Sequence, residues 1–224
     1  MNDTDRSDRT AFRVRDVRFG DILDMDHAEI PEGETTAVVG PSGGGKTTFL
    51  KMLNRILSPD QGRIEYLGRP LEEYEPVELR RRVVMLAQTP VVFPGTIRDN
   101  LAAGCRFAER EDPGNEEMEK ALAEVELAKG VNEEVGTLSG GEKQRLTLAR
   151  VMLMDPETLL LDEPSASLDA GTERLIFGSV TRYARQTGKT LVMVTHSEAE
   201  FSGYADRIIR LVKGKVDGGD ESDG

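Results

Sequence analysis

Four stretches of the chain are apolar at nearly every position: "TTAVVG" (35–40), "RVVMLAQ" (82–88), "TLLLD" (158–162) and "TLVMVTH" (190–196). A strand with one wet face alternates apolar and polar residues. Continuous runs therefore predict strands covered on both faces, as in a parallel sheet flanked by helices. "FRVRDVRF" (12–19), "GRIEYL" (62–67) and "RIIRLVKGKV" (207–216) add further strand-like runs, and helices are predicted at 46–57, 142–154 and about 170–186. Alternation of this kind implies an α/β domain with a largely parallel sheet. Residues 89–137 break the pattern with charged, helix-favouring sequence and predict a small helical insertion.

Composition narrows the class. The 224 residues suffice for one large domain, and a net charge of -12 argues against a duplex nucleic-acid partner, whose phosphates call for Lys and Arg. Acidic, apolar-poor ends, residues 1–10 and 218–224, read as solvated tails around a single domain at 11–217. The single cysteine, Cys105, can form no internal disulfide and fits a reduced, cytosolic compartment. No apolar run approaches the roughly 20 residues of a membrane span.

Chemistry enters at "GPSGGGKTT" (40–48), where Gly40, Gly45, Lys46 and Thr47 match G-x-x-x-x-G-K-[ST] between a β-branched strand and an amphipathic helix. Backbone N–H groups of Gly40, Pro41, Ser42, Gly43, Gly44, Gly45, Lys46, Thr47 and Thr48, less the proline's, can form a nest for phosphate oxygens, with the helix start adding positive potential. Lys46 adds a cation and Thr47 an oxygen for Mg²⁺. "TLLLDEP" then ends a buried strand in two carboxylates: Asp162 for the Mg²⁺ shell and Glu163 to polarise an attacking water. In "LSGGEKQRLTLAR" Ser139 and Glu142 spell an ordinary capping box, but Gly140 and Gly141 in the first helical turn are not needed for capping. They leave a bare helix start suited to a second anion contact.

A phosphate loop, then "LSGGE", then "LLLDEP" resembles the ATP-binding cassette (ABC) ATPases over nearly the whole chain. The resemblance implies a P-loop NTPase core with an N-terminal antiparallel β part and a helical subdomain at about 89–155. It implies ATP and Mg²⁺, and a head-to-tail dimer, with itself or a related cassette, in which Ser139, Gly140, Gly141 and Glu142 of one copy close over the phosphate loop of the other. By the same resemblance Gln88 is a metal- and water-sensing glutamine, His196 a contact to the γ-phosphate, Asp169 of "SASLD" a residue at the subunit junction, and Phe19 an adenine-stacking ring. Two of these carry a second reading: Asp169 can be a helix N-cap as well, and Phe19 has as its rival a core-facing strand residue. Glu142 departs from the family, where Gln is common. The segment "QTPVVFPGTIRDNL" resembles the surface that receives a permease, with Val91, Val92 and Phe93 alternatively belonging to the insertion's core. A stand-alone ATP-hydrolysing subunit is expected, peripheral at the cytoplasmic face of the membrane through integral permease chains. The competing class is a soluble regulatory or scaffold cassette.

Overall fold

A computed structural model describes residues 9–165, 169–196, 201 and 203–217. The expected tails therefore lie almost wholly outside the described residues, as does the middle of "SASLD". Strands β1 (Thr10–Phe19) and β2 (Leu23–Pro31) pair antiparallel, and with β4 (Gln61–Tyr66) and β5 (Arg69–Pro70) they form a sheet in the order β2-β1-β4-β5. The second sheet has the order β10-β9-β3-β8-β7-β6, from β3 (Thr35–Val39), β6 (Val83–Leu86), β7 (Thr158–Asp162), β8 (Thr190–Val194), β9 (Arg207–Val212) and β10 (Lys215–Val216). All its pairings are parallel except that of β9 with β10.

Two hydrophobic cores explain the continuous apolar runs. Ala37 and Val39, Leu159 and Leu161, and Leu191 and Met193 face one core, which contains α3 (Ile97–Phe107), α4 (Asn115–Glu124), α5 (Gly140–Leu153) and α6 (Ala170–Thr187). Val38, Leu160, Val192 and Val194 face the other, shared with the antiparallel sheet and α1 (Lys46–Leu53). Period two is present in each strand, but both phases are apolar because both faces are covered.

Several boundaries differ from expectation, each for a local reason. The predicted strand 82–88 starts only at Val83 because α2 (Pro76–Arg82) precedes it, capped by Glu75, whose carboxylate accepts from the Val77 and Glu78 N–H groups. Helix α1 stops at Leu53, with Asn54 as its C-cap and Arg55 in a left-handed conformation (φ 56°). The run 207–216 folds back on itself at Lys213 and Gly214 into β9 and β10. Strand β2 was not anticipated, because its buried Leu23, Met25, Ala28 and Ile30 are interleaved with Asp24, Asp26, His27 and Glu29.

Candidate functional site

The loop from β3 to α1 is shaped by its glycines. Gly40 lies at φ 143°, and a Cβ there would stand 2.0 Å from the Leu211 carbonyl oxygen of β9. Gly45, at φ 93°, is the N-cap of α1 and would bring a Cβ within 2.6 Å of Leu23. The glycine-rich loop thus approaches its own chain on one side, while Pro41, Ser42 and Gly43 form an exposed rim. Gly40→Ala is expected to cost about 2–3 kcal/mol through this overlap, read as a lower urea midpoint; an unchanged midpoint contradicts the packing described.

Among the described residues no side chain caps α1, and no acidic residue occupies its first turn, so the helix start keeps donors and positive potential for a ligand. Lys46 is buried, its Nζ donating to the Gly40 and Pro41 carbonyls at 2.9 Å each. Burial pulls its ammonium below the usual lysine range, against the pull of Glu163 and Asp162. Thr47 Oγ1 donates to Asp162 Oδ1 at 2.9 Å, and Thr48 occupies the same first turn, half-buried.

Asp162 ends β7 and is 5% exposed. Burial pushes its carboxyl above the usual aspartate range; Thr47's hydrogen bond opposes the shift and Glu163 adds to it. A raised carboxyl means the folded chain holds the proton better than the unfolded one, so this group's contribution to stability falls as pH rises upward from the ordinary carboxylate range. Asp162→Asn keeps an acceptor for Thr47 and removes the charge. The ligand-free chain should gain roughly 0.5–2 kcal/mol at neutral pH and lose nucleotide turnover; a lower unfolding midpoint contradicts this.

Glu163 leaves the strand in a left-handed conformation (φ 47°), with its N–H on the Val194 carbonyl at 3.0 Å. Both carboxylate oxygens are engaged: Oε1 lies 2.5 Å from His196 Nε2, and Oε2 accepts from Gln88 Nε2 at 2.9 Å. Gln88, Glu163 and His196 follow the adjacent strands β6, β7 and β8, so sheet order alone brings three distant positions to one carboxyl edge. Gln88, expected also near a metal, contacts Glu163 and makes no hydrogen bond to Thr47 or Asp162 among the described residues.

Mg²⁺, implied by the family resemblance, fits this donor set. No group of three or more His, Cys, Asp or Glu able to hold a metal occurs among the described residues. A single Thr47 hydroxyl and a single Asp162 carboxylate are what a hard cation requires when phosphates and water complete its shell.

The remaining predicted residues lie elsewhere. Ser139 caps α5, accepting from Glu142 N–H at 3.3 Å while Glu142 Oε2 accepts from Ser139 N–H at 2.8 Å. The backbone and hydroxyl of Ser139 hold Glu142 ionised below the usual range, with Lys129 Nζ 3.7 Å from its carboxylate. Ser139 and Gly140 are exposed, Gly141 is half-buried, and a Cβ on Gly140 would meet nothing within 4 Å. No hydrogen bond or ion pair joins Ser139–Glu142 to the 40–48 loop among the described residues. Asp169 caps α6, accepting from the Gly171 and Thr172 N–H groups at 3.0 and 3.1 Å, so the N-cap reading holds for it. Phe19 is half-buried, packed against the second core and cross-strand from Leu23, the residue that Gly45 approaches.

Asn100 was missed. It is fully buried in α3, where Nδ2 donates to the Phe93 and Thr96 carbonyls at 2.9 and 3.0 Å and Oδ1 accepts from Phe93 N–H at 2.8 Å. The signal was an amide inside the apolar stripe Ile97, Leu101, Gly104, Cys105.

Comparison with known proteins places this geometry in context. The family model described as "ABC transporter" matches residues 23–166. "ABC transporter I family member 17" of Arabidopsis thaliana is 38% identical over 84% of this chain and 72% of its own length. The sulfate/thiosulfate import ATP-binding protein CysA of Mycolicibacterium paratuberculosis is 36% identical over 96% of this chain, which spans 60% of that relative. Among solved structures, cbiO1 of Clostridium perfringens, described as part of the transporter complex cbiONQ, superposes with a TM-score of 0.82 at 26% identity, covering 93% of this chain and 87% of that one. The ATP-binding cassette MJ0796, a dimer in a post-hydrolysis state with ADP and phosphate, superposes at 0.80 and 26% identity, covering 92% and 97%.

Proposed function

The chain belongs to the ABC transporter family, and on that premise we propose that it is the ATP-binding and ATP-hydrolysing subunit of a transporter whose membrane-spanning part is a separate permease. The carrying observation is the convergence of Gln88, Glu163 and His196 beside the Thr47–Asp162 pair. No helix among the described residues is long and apolar enough to cross a membrane.

In this reading the N–H groups of 43–48 and Lys46 hold the β- and γ-phosphates of ATP. Thr47 and Asp162 would hold Mg²⁺, which supplies charge neutralisation on the phosphate oxygens when bound. Glu163 orients a water for in-line attack on the γ-phosphorus and takes its proton as the bond to the bridging oxygen breaks, releasing ADP and phosphate. Each Glu163 oxygen has one partner in this structure, Gln88 or His196, and a carboxylate's remaining lone pairs can still accept from the water. Phe19 stacks on adenine from the rim. The open start of α5 belongs to the site of a second copy; that MJ0796 is a dimer in its structure with ADP and phosphate supports the pairing of two copies. Asp169 lies at the same junction, its cap to Thr172 fixing the entry of α6.

The test is tagged full-length chain purified from detergent-solubilised membranes of its own cells. A multi-span protein should accompany it in fixed ratio and alter its Mg²⁺-dependent phosphate release. Full activity confined to the soluble fraction, with no such partner, contradicts the transport role.

A further inference from the structure

Arg150, near the end of α5, takes no part in the phosphate chemistry above. It is half-buried, and burial pulls its guanidinium below the usual arginine range. Nη2 donates to the Val91 carbonyl at 2.7 Å, Nη1 donates to Asn100 Oδ1 at 3.5 Å, and the guanidinium lies 5.1 Å from the centre of the Phe93 ring. Asn100 fixes the same segment from the other side through the N–H and carbonyl of Phe93. Gly104 of α3 makes room for the crossing, since a Cβ there would stand 2.5 Å from Arg150 Cγ. Glycine inside a helix costs ~1 kcal/mol relative to alanine, so this close approach is retained against local preference.

These contacts join two places that matter to the proposed reaction. Three residues before Val91, Gln88 holds Glu163. Eleven residues before Arg150, on the same continuous helix, Ser139 caps the start of α5. A helix of 14 residues is a rod of about 20 Å that translates as a unit. Val91 itself is 59% exposed, so the surface beside Phe93 feels any movement of that rod.

We propose that Arg150 is a positioning residue that makes the 88–93 segment and the helix begun by Ser139 move as one body, so that closure of Ser139 over nucleotide is transmitted to the surface around Val91. The inference rests on the ATP-dependent pairing of two copies proposed above. Its physical basis is a cation with no carboxylate partner among the described residues. Held by neutral carbonyls and a ring face in a partly desolvated site, such a cation is strongly directional, and lysine cannot reproduce the planar fork.

Hydrogen exchange on the full chain carrying Glu163→Gln tests this, with ATP and Mg²⁺ as the added ligands. Binding should slow amide exchange at 139–146 and also at 91–96, the latter by about tenfold. In the Arg150→Met, Glu163→Gln chain the slowing at 40–48 should persist while the response at 91–96 falls below about twofold. Arg150→Lys, which keeps the stem and charge, should show the same loss of response and serves if the methionine variant fails to fold. An undiminished response at 91–96 in the Arg150 variants overturns the relay. If ATP slows exchange at 40–48 but at neither 139–146 nor 91–96 in the parent, the pairing itself is overturned and the relay with it.

Discussion

Glu163→Gln is expected to lower phosphate release by about 10² to 10⁴, the usual contribution of a general base, while ATP still binds. The amide is close in size to the carboxylate, so the contact to Gln88 can be kept by its oxygen. What is lost is the ability to accept the water's proton. Because release of phosphate is what would let two copies part, the variant should accumulate as an ATP-bound dimer on size-exclusion chromatography, and ADP should leave it monomeric. Unchanged turnover would remove Glu163 from the chemistry. A monomer at saturating ATP would remove the pairing.

Gly140→Asp carries the second large expectation, and its interest lies in the contrast with Gly40. A Cβ at position 140 meets nothing within 4 Å, and an acidic residue in the first turn of a helix suits its dipole. Unfolding should therefore shift by no more than about 0.5 kcal/mol. In a paired site the new carboxylate would face the γ-phosphate, and like-charge juxtaposition costs several kcal/mol, so turnover should fall by about 100-fold or more. Stability and activity are expected to separate: Gly40→Ala damages the fold, Gly140→Asp only the reaction. Full activity in Gly140→Asp would show that the start of α5 plays no part in holding phosphate.

How much was legible beforehand differs from one residue to the next. The phosphate loop could be read because its pattern is contiguous and its glycines have a local reason. That reason proved partly internal, since Gly40 and Gly45 also make room for Leu211 and Leu23. Gln88, Glu163 and His196 were legible singly, as polar residues closing apolar strands. Their meeting was not, because it depends on β6, β7 and β8 lying side by side, and strand order is decided by tertiary packing rather than by local pattern. Strand β2 was hidden by four polar residues in its alternation, and α2 by its shortness. The Asn100–Arg150 clamp was hidden because its members lie 50 residues apart, and only an amide in an apolar stripe hinted at it.

The central claim is that each ATP lies between the 40–48 loop of one copy and the Ser139–Glu142 start of the other. Mixing two inactive chains tests it most directly. Lys46→Ala disables the loop and leaves the helix start intact; Gly140→Asp does the reverse. In a head-to-tail mixed dimer one site collects both defects and the other collects none. Mixing equal amounts should restore about one quarter of the wild-type rate, half the dimers being mixed and each having one intact site. A mixture as inactive as its components would place both elements of the site in the same chain and contradict the claim.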